Sequence, residues 1–300
     1  MMKPKIVFLL LACLVTALLV SGCVQQKAAL RIATTTSLYD TGLLEEIERA
    51  YEEKTGTDLL ITSQGSGKAI ELARRGDVDL LLIHSPPEET AFMSAEDGLY
   101  HRCFAYNYFL LLGPPEDPAD IKNLTAIGAF ARLHQLGRSG NPDVRFVSRG
   151  DLSGTHHAEI RIWRSAGFNY TSDVQGSGRW YIETGKGMGE SLQVANEKDA
   201  YILADTGTYL AFRSKLRLVP VIASDEELLN RYSAIVINPG RHQGTNDEDA
   251  KEFVNWLLSE EGKEILTSFG GDAYGAPLFT PLEEGICESE PFSCTCSLIP

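Results

Sequence analysis

An α/β fold in two halves is predicted by three observations. Short apolar runs alternate with amphipathic stretches from residue 30 to residue 269, each run ends in turn residues, and the alternation pauses at Gly113-Pro114-Pro115-Glu116-Asp117-Pro118 before resuming. The runs at 30–33, 58–62, 78–84 and 106–113 read as strands, being short and turn-bounded. Between the first two, Leu43, Leu44, Ile47, Ala50 and Tyr51 fall on one helical face, and Gly56 supplies the stop. This βαβ order predicts a mostly parallel sheet with helices on both faces. The proline-rich segment continues neither helix nor strand, so it marks a crossing between lobes. A second set follows, with strands near 144–148, 200–204 and 216–222 and helices near 155–166 and 187–196. A strand at 232–238 and closing helices at 247–258 and 260–269 bring the chain back. The expected organisation is lobe 1 at 30–113 and 232–282, lobe 2 at 114–231, and an irregular cysteine-bearing tail at 283–300.

Residues 1–22 have another purpose. Lys3 and Lys5, an apolar run over 6–20 and Ser21-Gly22 follow the order of a secretory signal, and the run is too short for a comfortable membrane span. Val20-Ser21-Gly22-Cys23 also resembles the lipobox of prokaryotic lipoproteins. That likeness implies cleavage before Cys23, a lipid on Cys23, and a tether over 23–29 that holds the mature chain to the outer face of the cytoplasmic membrane. Of the other cysteines, Cys103, Cys287, Cys294 and Cys296 allow three pairings in an exported chain, one of which ties the tail to the body through Cys103. Their spacing matches no zinc signature.

Composition narrows the function. With 43% hydrophobic and 23% charged residues over 300 positions, the chain can bury a substantial core, which excludes disorder for most of it. Its 27 Lys and Arg against 41 Asp and Glu give a formal charge of −14, and such a surface repels phosphate backbones and acidic headgroups. A nucleic-acid binder is therefore not expected. A pocket can still oppose the global sign, because donors within a few ångströms outweigh charges screened beyond about 8 Å.

Three turns supply such donors. The first strand runs into Thr34-Thr35-Thr36-Ser37, with a helix starting near 41–43. Four hydroxyl residues at a strand's carboxyl end stand where open α/β sheets bind ligands, and a helix start favours an anion. Thr62-Ser63-Gln64-Gly65-Ser66-Gly67-Lys68 likewise leaves an apolar run and opens a helix. Thr62 and Ala69 depart from the phosphate-binding loop pattern, so nucleotide binding is not indicated, and Lys68 reads as a solvated helix residue. In the second half, Ser148-Arg149-Gly150-Asp151-Leu152-Ser153-Gly154-Thr155 adds a guanidinium to hydroxyl and backbone donors. Asp151 is placed to orient Arg149 or to accept a proton from a ligand. Donor-rich turns from both halves point to one anion held between lobes, with Gly187 in Gly185-Lys186-Gly187-Met188-Gly189 as a candidate further wall.

Other chemistry is weaker. His156 and His157 lie beside Glu159 without a metal-binding spacing, and read as a capped or surface pair. Ser153, His156 and Asp151 lack the Gly-x-Ser-x-Gly elbow of a serine hydrolase, which leaves that activity a distant alternative. His84 and the tryptophans read as core or cleft wall.

Taken together, these residues resemble the extracytoplasmic tungstate-binding proteins of ABC uptake systems, within the type II periplasmic binding protein fold. The likeness spans nearly all of 30–281. It rests on Thr34-Thr35-Thr36-Ser37, Gly76-Asp77-Val78-Asp79, Ser148 through His156, Trp180-Tyr181-Ile182-Glu183-Thr184-Gly185 and Ala195-Asn196-Glu197-Lys198. It implies a two-lobed α/β fold with the ligand cleft between two Rossmann-like lobes. The oxyanion contacts it implies are Thr35, Thr36, Ser37, Arg149, Ser153, Gly154 and Thr155. Ser66 is a further contact, in a turn that departs from the family form, and Thr34, Gly67, Asp151 and Gly187 form an outer tier. The implied ligand is tungstate, with molybdate, phosphate or sulfate as alternatives, and no cofactor, cation site or catalysis is implied. The implied partners are the membrane subunits of an ABC permease with their cytoplasmic ATPase, reached by a lipid-anchored monomer. The cysteine-bearing tail has no counterpart in the family form.

Overall fold

The computed structural model describes residues 28–289 and 294–300. The predicted signal sequence and Cys23 lie outside the described residues. Ten strands form one connected sheet in the order β2-β1-β3-β9-β4-β7-β5-β6, with β10 and β8 also pairing with β4. In chain order they are β1 (Leu30–Thr35), β2 (Leu59–Gln64), β3 (Leu80–Ile83), β4 (Gly98–Gly113), β5 (Phe146–Ser148), β6 (Tyr181–Glu183), β7 (Tyr201–Asp205), β8 (Val219–Ile222), β9 (Leu229–Ile237) and β10 (Thr280–Pro281).

The topology determines which strand ends meet. β2, β1 and β3 are mutually parallel, as are β6, β5 and β7. Between these trios, β9 runs antiparallel to β3, β4 antiparallel to β9, and β7 antiparallel to β4. The two trios therefore point in opposite directions. β4 passes from one trio's neighbourhood to the other, its residues up to Tyr108 pairing with β9 and those from Phe109 pairing with β7. Phe109 pairs with Asp205, the last residue of β7, so the carboxyl ends of both trios face each other across this changeover. The sheet is thus parallel within each trio and antiparallel between them, which corrects the expectation of a mostly parallel sheet. The central strands are antiparallel because β9 returns late in the chain.

Helices cover both faces. They are α1 (Thr36–Tyr39), α2 (Leu43–Thr55), α3 (Ser66–Arg74), α4 (Pro86–Ser94), α5 (Ala126–Arg138), α6 (Gly154–Ser165), α7 (Met188–Glu197), α8 (Thr206–Phe212), α9 (Asp247–Leu257), α10 (Glu260–Ser268) and α11 (Gly271–Tyr274), with a π-helical turn at Tyr170–Val174. α2 buries Leu43, Leu44, Ile47 and Tyr51 and ends at Gly56, whose φ of +68° suits glycine and whose N–H donates to the Glu52 carbonyl at 2.8 Å. Period-two alternation splits the buried strands between faces. In β3, Leu80 and Leu82 join Leu30, Tyr51, Phe253 and Trp256, while Leu81 and Ile83 join Ile70, Phe92 and Ile235. In β4, Phe109 and Leu111 join the Phe130, Phe146 and Trp163 cluster, while Leu110 and Leu112 join Met188 and Leu192. Each trio with its neighbours is a helix-sheet-helix sandwich, giving two lobes.

Asp79 pins the first of these. Buried, it takes Arg31 through both oxygens (2.6 and 3.0 Å) and the Asn246 N–H at 2.8 Å, joining β1, the start of β3 and the entry to α9. The tail over 283–300 has no helix or strand among its described residues, yet it is docked. Cys294 bridges to Cys103 and Cys296 to Cys287, the Cys103 N–H donates to the Thr295 carbonyl at 2.8 Å, and Ile299 is buried in the first lobe's core.

Candidate oxyanion site

Where the strand ends meet, each donor-rich turn becomes a loop entering a helix. β1 ends at Thr35, which caps α1 by accepting the Leu38 N–H at 3.3 Å. This short helix, capped by Thr35, precedes α2, which starts at Leu43 where the sequence places a helix. Thr35 pairs with Gln64 at the end of β2, and Gly65 and Ser66 follow into α3, so Thr35, Thr36, Ser37 and Ser66 share one sheet edge. From the other lobe, β5 ends at Ser148, and Arg149 to Ser153 lead into α6, with Ser153 capping through the His156 N–H.

The two sets meet at His84, which follows β3. A Cβ on Gly154 would fall 2.5 Å from His84 Cε1, so the start of α6 lies directly against that ring. Arg149 is near enough to act electrostatically on both His84 and Asp40. Beyond the ring, His157 of α6 faces Glu88 of α4 at 3.8 Å, a further contact between lobes.

Three side chains from these segments are nearly sealed from solvent and hold a polar atom without a hydrogen-bond partner among the described residues: Ser66 Oγ (1% exposed), Thr155 Oγ1 (2%) and Arg149 Nε (6%). Leaving such groups unpaired is costly, about 1–3 kcal/mol each. All three can donate a proton.

The Arg149 loop is braced from outside. Arg149 donates to Asp151 Oδ2 at 2.6 Å, and the Ser153 N–H donates to Asp151 Oδ1 at 3.2 Å. Burial pushes the Asp151 carboxyl up, but the Ser153 hydroxyl and the Arg149 charge outweigh it and hold the group below its ordinary value. Gly150 takes a φ of +63° with Glu183 close against it, and Leu152 a φ of +57°. His156 Nδ1 accepts the Leu152 N–H at 2.9 Å, while its Nε2 meets Tyr170 Oη at 2.8 Å, and Tyr170 donates to Glu183 at 2.7 Å. His156 is therefore a buried strut, not a surface residue. With both ring nitrogens engaged, it offers Ser153 no base, and Ser153, His156 and Asp151 do not form a triad.

The outer-tier expectations divide. Thr34 is buried and donates its hydroxyl to the Leu82 carbonyl at 3.0 Å, so that proton belongs to the sheet and not to a ligand. Gly67 is exposed in the first turn of α3. Gly187 caps α7 and lines a groove with Asp40, Thr41 and Thr208, whose lining includes none of the sealed donors. Asp151 orients Arg149. Sequence reasoning missed the polar part of His84, whose Nε2 meets Ser37 Oγ at 2.7 Å and whose Nδ1 meets Asn230 Oδ1 at 2.8 Å. Its one signal was a histidine at the end of an apolar run, one residue past the last residue of β3.

Comparison with known proteins agrees with the fold. Residues 24–261 match the model of a PBP (periplasmic binding protein) superfamily domain. The chain is 34% identical over 289 residues to the tungstate-binding protein TupA of Peptoclostridium acidaminophilum, covering 92% of this chain and 98% of that one. Among solved structures, the tungstate-binding protein TupA from Desulfovibrio alaskensis G20 aligns with a TM-score of 0.74 at 35% identity, covering 86% of this chain and all of that one. The tungstate ABC transporter structure from Geobacter sulfurreducens aligns at 0.69 and 34% identity, over 81% of this chain and 99% of that one. With its paired parallel trios, facing strand ends and matched sequence, the chain belongs to the periplasmic binding protein superfamily.

Proposed function

We propose that this protein captures tungstate outside the cytoplasm and hands it to an ABC-type permease. The observation that carries the reading is the set of sealed, unpartnered donors on Ser66, Arg149 and Thr155, drawn from both lobes of a fold shared with tungstate-binding relatives. A tetrahedral dianion presents four acceptor oxygens and no donor, which suits an enclosure of hydroxyls, amides and one guanidinium. Thr35, Thr36, Ser37, Ser153 and Gly154 complete the contacts. Neutral hydrogen bonds contribute about 0.5–1.5 kcal/mol each and charged ones about 1.5–3, so seven or so, protected from water by the closed lobes, reach nanomolar affinity after the entropy of association.

Phosphate is the principal rival, because it carries a proton near neutrality and needs a buried acceptor. Asp151 is the acceptor at hand, and both of its oxygens are engaged by Arg149 and Ser153. That favours a fully deprotonated ligand. Molybdate shares the shape and charge of tungstate and is expected to compete. The division into lobe 1 (30–113 and 232–282) and lobe 2 (114–231), with residues 109–112 of β4 packed on the lobe 2 side and the lobes closing about β4 to signal occupancy to the permease, belongs to the same proposal. So do a signal peptide at 1–22, a lipid anchor on Cys23 and a monomeric state. The two disulfides suit an oxidising compartment, and no helix among the described residues is long and apolar enough to cross a membrane.

Calorimetric titration with tungstate, followed by displacement with molybdate, sulfate and phosphate, tests the reading. Nanomolar binding displaced by molybdate and not by phosphate is expected. No binding, or displacement by phosphate at equal concentration, would refute it.

A further inference from the structure

If the enclosure takes a tetrahedral dianion, as proposed above, a polar chain behind it determines how one of its hydroxyls points. Asn107 Nδ2 donates to the Leu278 carbonyl at 3.3 Å, which leaves Asn107 Oδ1 to accept from Asn230 Nδ2 at 2.8 Å. Asn230 Nδ2 also donates to Tyr232 Oη at 2.7 Å. Both amide protons of Asn230 are thus directed away from His84, and its Oδ1 faces His84 Nδ1 at 2.8 Å. The Nδ1 atom therefore carries a proton, and in a neutral ring Nε2 is an acceptor. Its partner is Ser37 Oγ at 2.7 Å. Ser37 then points its single proton at the histidine and leaves only lone pairs for an anion.

We propose that His84 takes up a proton when the dianion binds, donates that Nε2–H to Ser37, and so turns the Ser37 hydroxyl proton onto the anion. His84 is a positioning residue that converts Ser37 from acceptor to donor. The proton comes from solvent, one N–H bond forms, and no other covalent bond changes.

The surroundings are poised for this step. Burial, opposed by the Asn230 hydrogen bond and by the Glu89 and Asp205 carboxylates, holds the free ring below its ordinary value, and Arg149 from the facing lobe lowers it further. Glu89 is shared with Ser233 Oγ (2.8 Å), His101 and Arg231. Tyr232, beside the ring on β9, is raised by burial and stays neutral. In the groove beyond, His157 faces Glu88 and Arg161 is paired with Glu227. Against this near-balanced set, two negative charges arriving one hydroxyl away are the dominant change. Gly154 closing on the ring removes the water that would screen them.

Proton uptake is read by titrating the full mature chain with sodium tungstate in buffers of equal pH and different ionisation enthalpy. Tungstate is fully deprotonated from pH 6 to 8, so any uptake is by the protein. The expected result is close to one proton per tungstate at pH 7, with affinity rising up to tenfold per pH unit lowered in that range. In His84→Gln, the uptake and the pH dependence should both vanish. Imidazole ¹⁵N shifts of the wild-type complex give a second reading that needs no variant, with His84 as the histidine that gains the proton. Tungstate binding without uptake, or uptake at another histidine, overturns this inference and leaves the tungstate reading standing. Absence of tungstate binding counts against that reading itself.

Discussion

Replacing Gly154 with alanine separates closure of the lobes from their folding. The new Cβ would lie 2.5 Å from His84 Cε1, 2.8 Å from Nε2 and 3.2 Å from Nδ1. Non-bonded carbons settle at about 3.5–4.0 Å, so one side must yield by about 1 Å. The ring cannot swing aside, because Ser37 and Asn230 hold both nitrogens. The start of α6 must then retreat, carrying Arg149, Ser153 and Thr155 away from the hydroxyls of β1 and α3. Overpacking of this kind costs about 1–3 kcal/mol, which corresponds to tungstate affinity roughly 5- to 150-fold weaker. The ligand-free protein should not suffer, since alanine favours a helix over glycine by up to about 1 kcal/mol. Calorimetry with tungstate and thermal unfolding without it read the two effects apart. Affinity within twofold of wild type, or a fall in ligand-free stability that accounts for the whole loss, would show that the lobes do not meet at this point when the ligand is held.

Other expectations follow from the same contacts. Arg149→Ala should weaken tungstate binding by two orders of magnitude or more, because it removes the one cation of the enclosure and strands Asp151; unchanged affinity by calorimetry refutes its role. Thr155→Val and Ser66→Ala should each weaken binding about 3- to 100-fold while leaving ligand-free stability equal or higher, since each removes an unpartnered buried hydroxyl; a loss of stability without loss of affinity refutes this. Reducing the disulfides should lower the melting temperature, the Cys103–Cys294 bridge closing a separation of 191 residues worth about 5 kcal/mol by chain entropy, and an unchanged melting temperature refutes it. Burial, opposed by hydrogen bonds from Tyr181, Ser148 and Trp163, pushes the Glu159 carboxyl from 4.5 to about 7. Between those values the folded state holds the extra proton, so stability should fall as pH rises through that window, by on the order of 3 kcal/mol, and level off above it. Denaturant unfolding at pH 5 and pH 8 should show that slope in wild type and lose it in Glu159→Gln; equal slopes refute it.

Much of the fold was legible because its strands are short, apolar and bounded by turns. β1, β2, β3 and β9 fall where the periodicity places them, and so do helices α2, α6, α7, α9 and α10. The first half of β4 and the helix α5 escaped notice for opposite reasons. Gly98 to Ala105 mixes His101 and Arg102 with apolar residues, since that part of β4 exchanges side-chain contacts with the tail and with α4. Residues 126–138 are rich in alanine and glycine, because α5 packs closely on Trp180 at Gly137, and small residues give a weak periodic signal. At the site, hydroxyl-rich turns announce themselves by composition, and Arg149 by its glycine and serine neighbours. His84 did not, because its meaning lies in partners 47 and 146 residues away. Ser153 does cap a helix and Asp151 does pair with Arg149. These contacts hold the Arg149 loop still.

The charge balance gives this arrangement its logic. A chain of formal charge −14 repels dianions at a distance, yet the Debye length of about 8 Å confines most of that repulsion to the surface. Among the proposed contacts Arg149 is the one cation, and Asp151 already offsets it. Two helices, α3 and α6, begin at the turns that carry Ser66 and Ser153, and in the proposed enclosure their amino-terminal dipoles would favour an anion. Attraction therefore comes mainly from fixed dipoles and hydroxyl protons whose positions are set by strand ends and caps. Dipoles weaken with distance faster than charges do, so such an enclosure discriminates by the size and shape of the anion more than by net charge. If it held its ligand by charge alone, sulfate and tungstate would bind alike. If, as proposed, hydroxyls and amides from both lobes each reach an oxygen, the smaller sulfate would leave some of them unpaired, and each loss would be felt at the full desolvation cost of a buried donor.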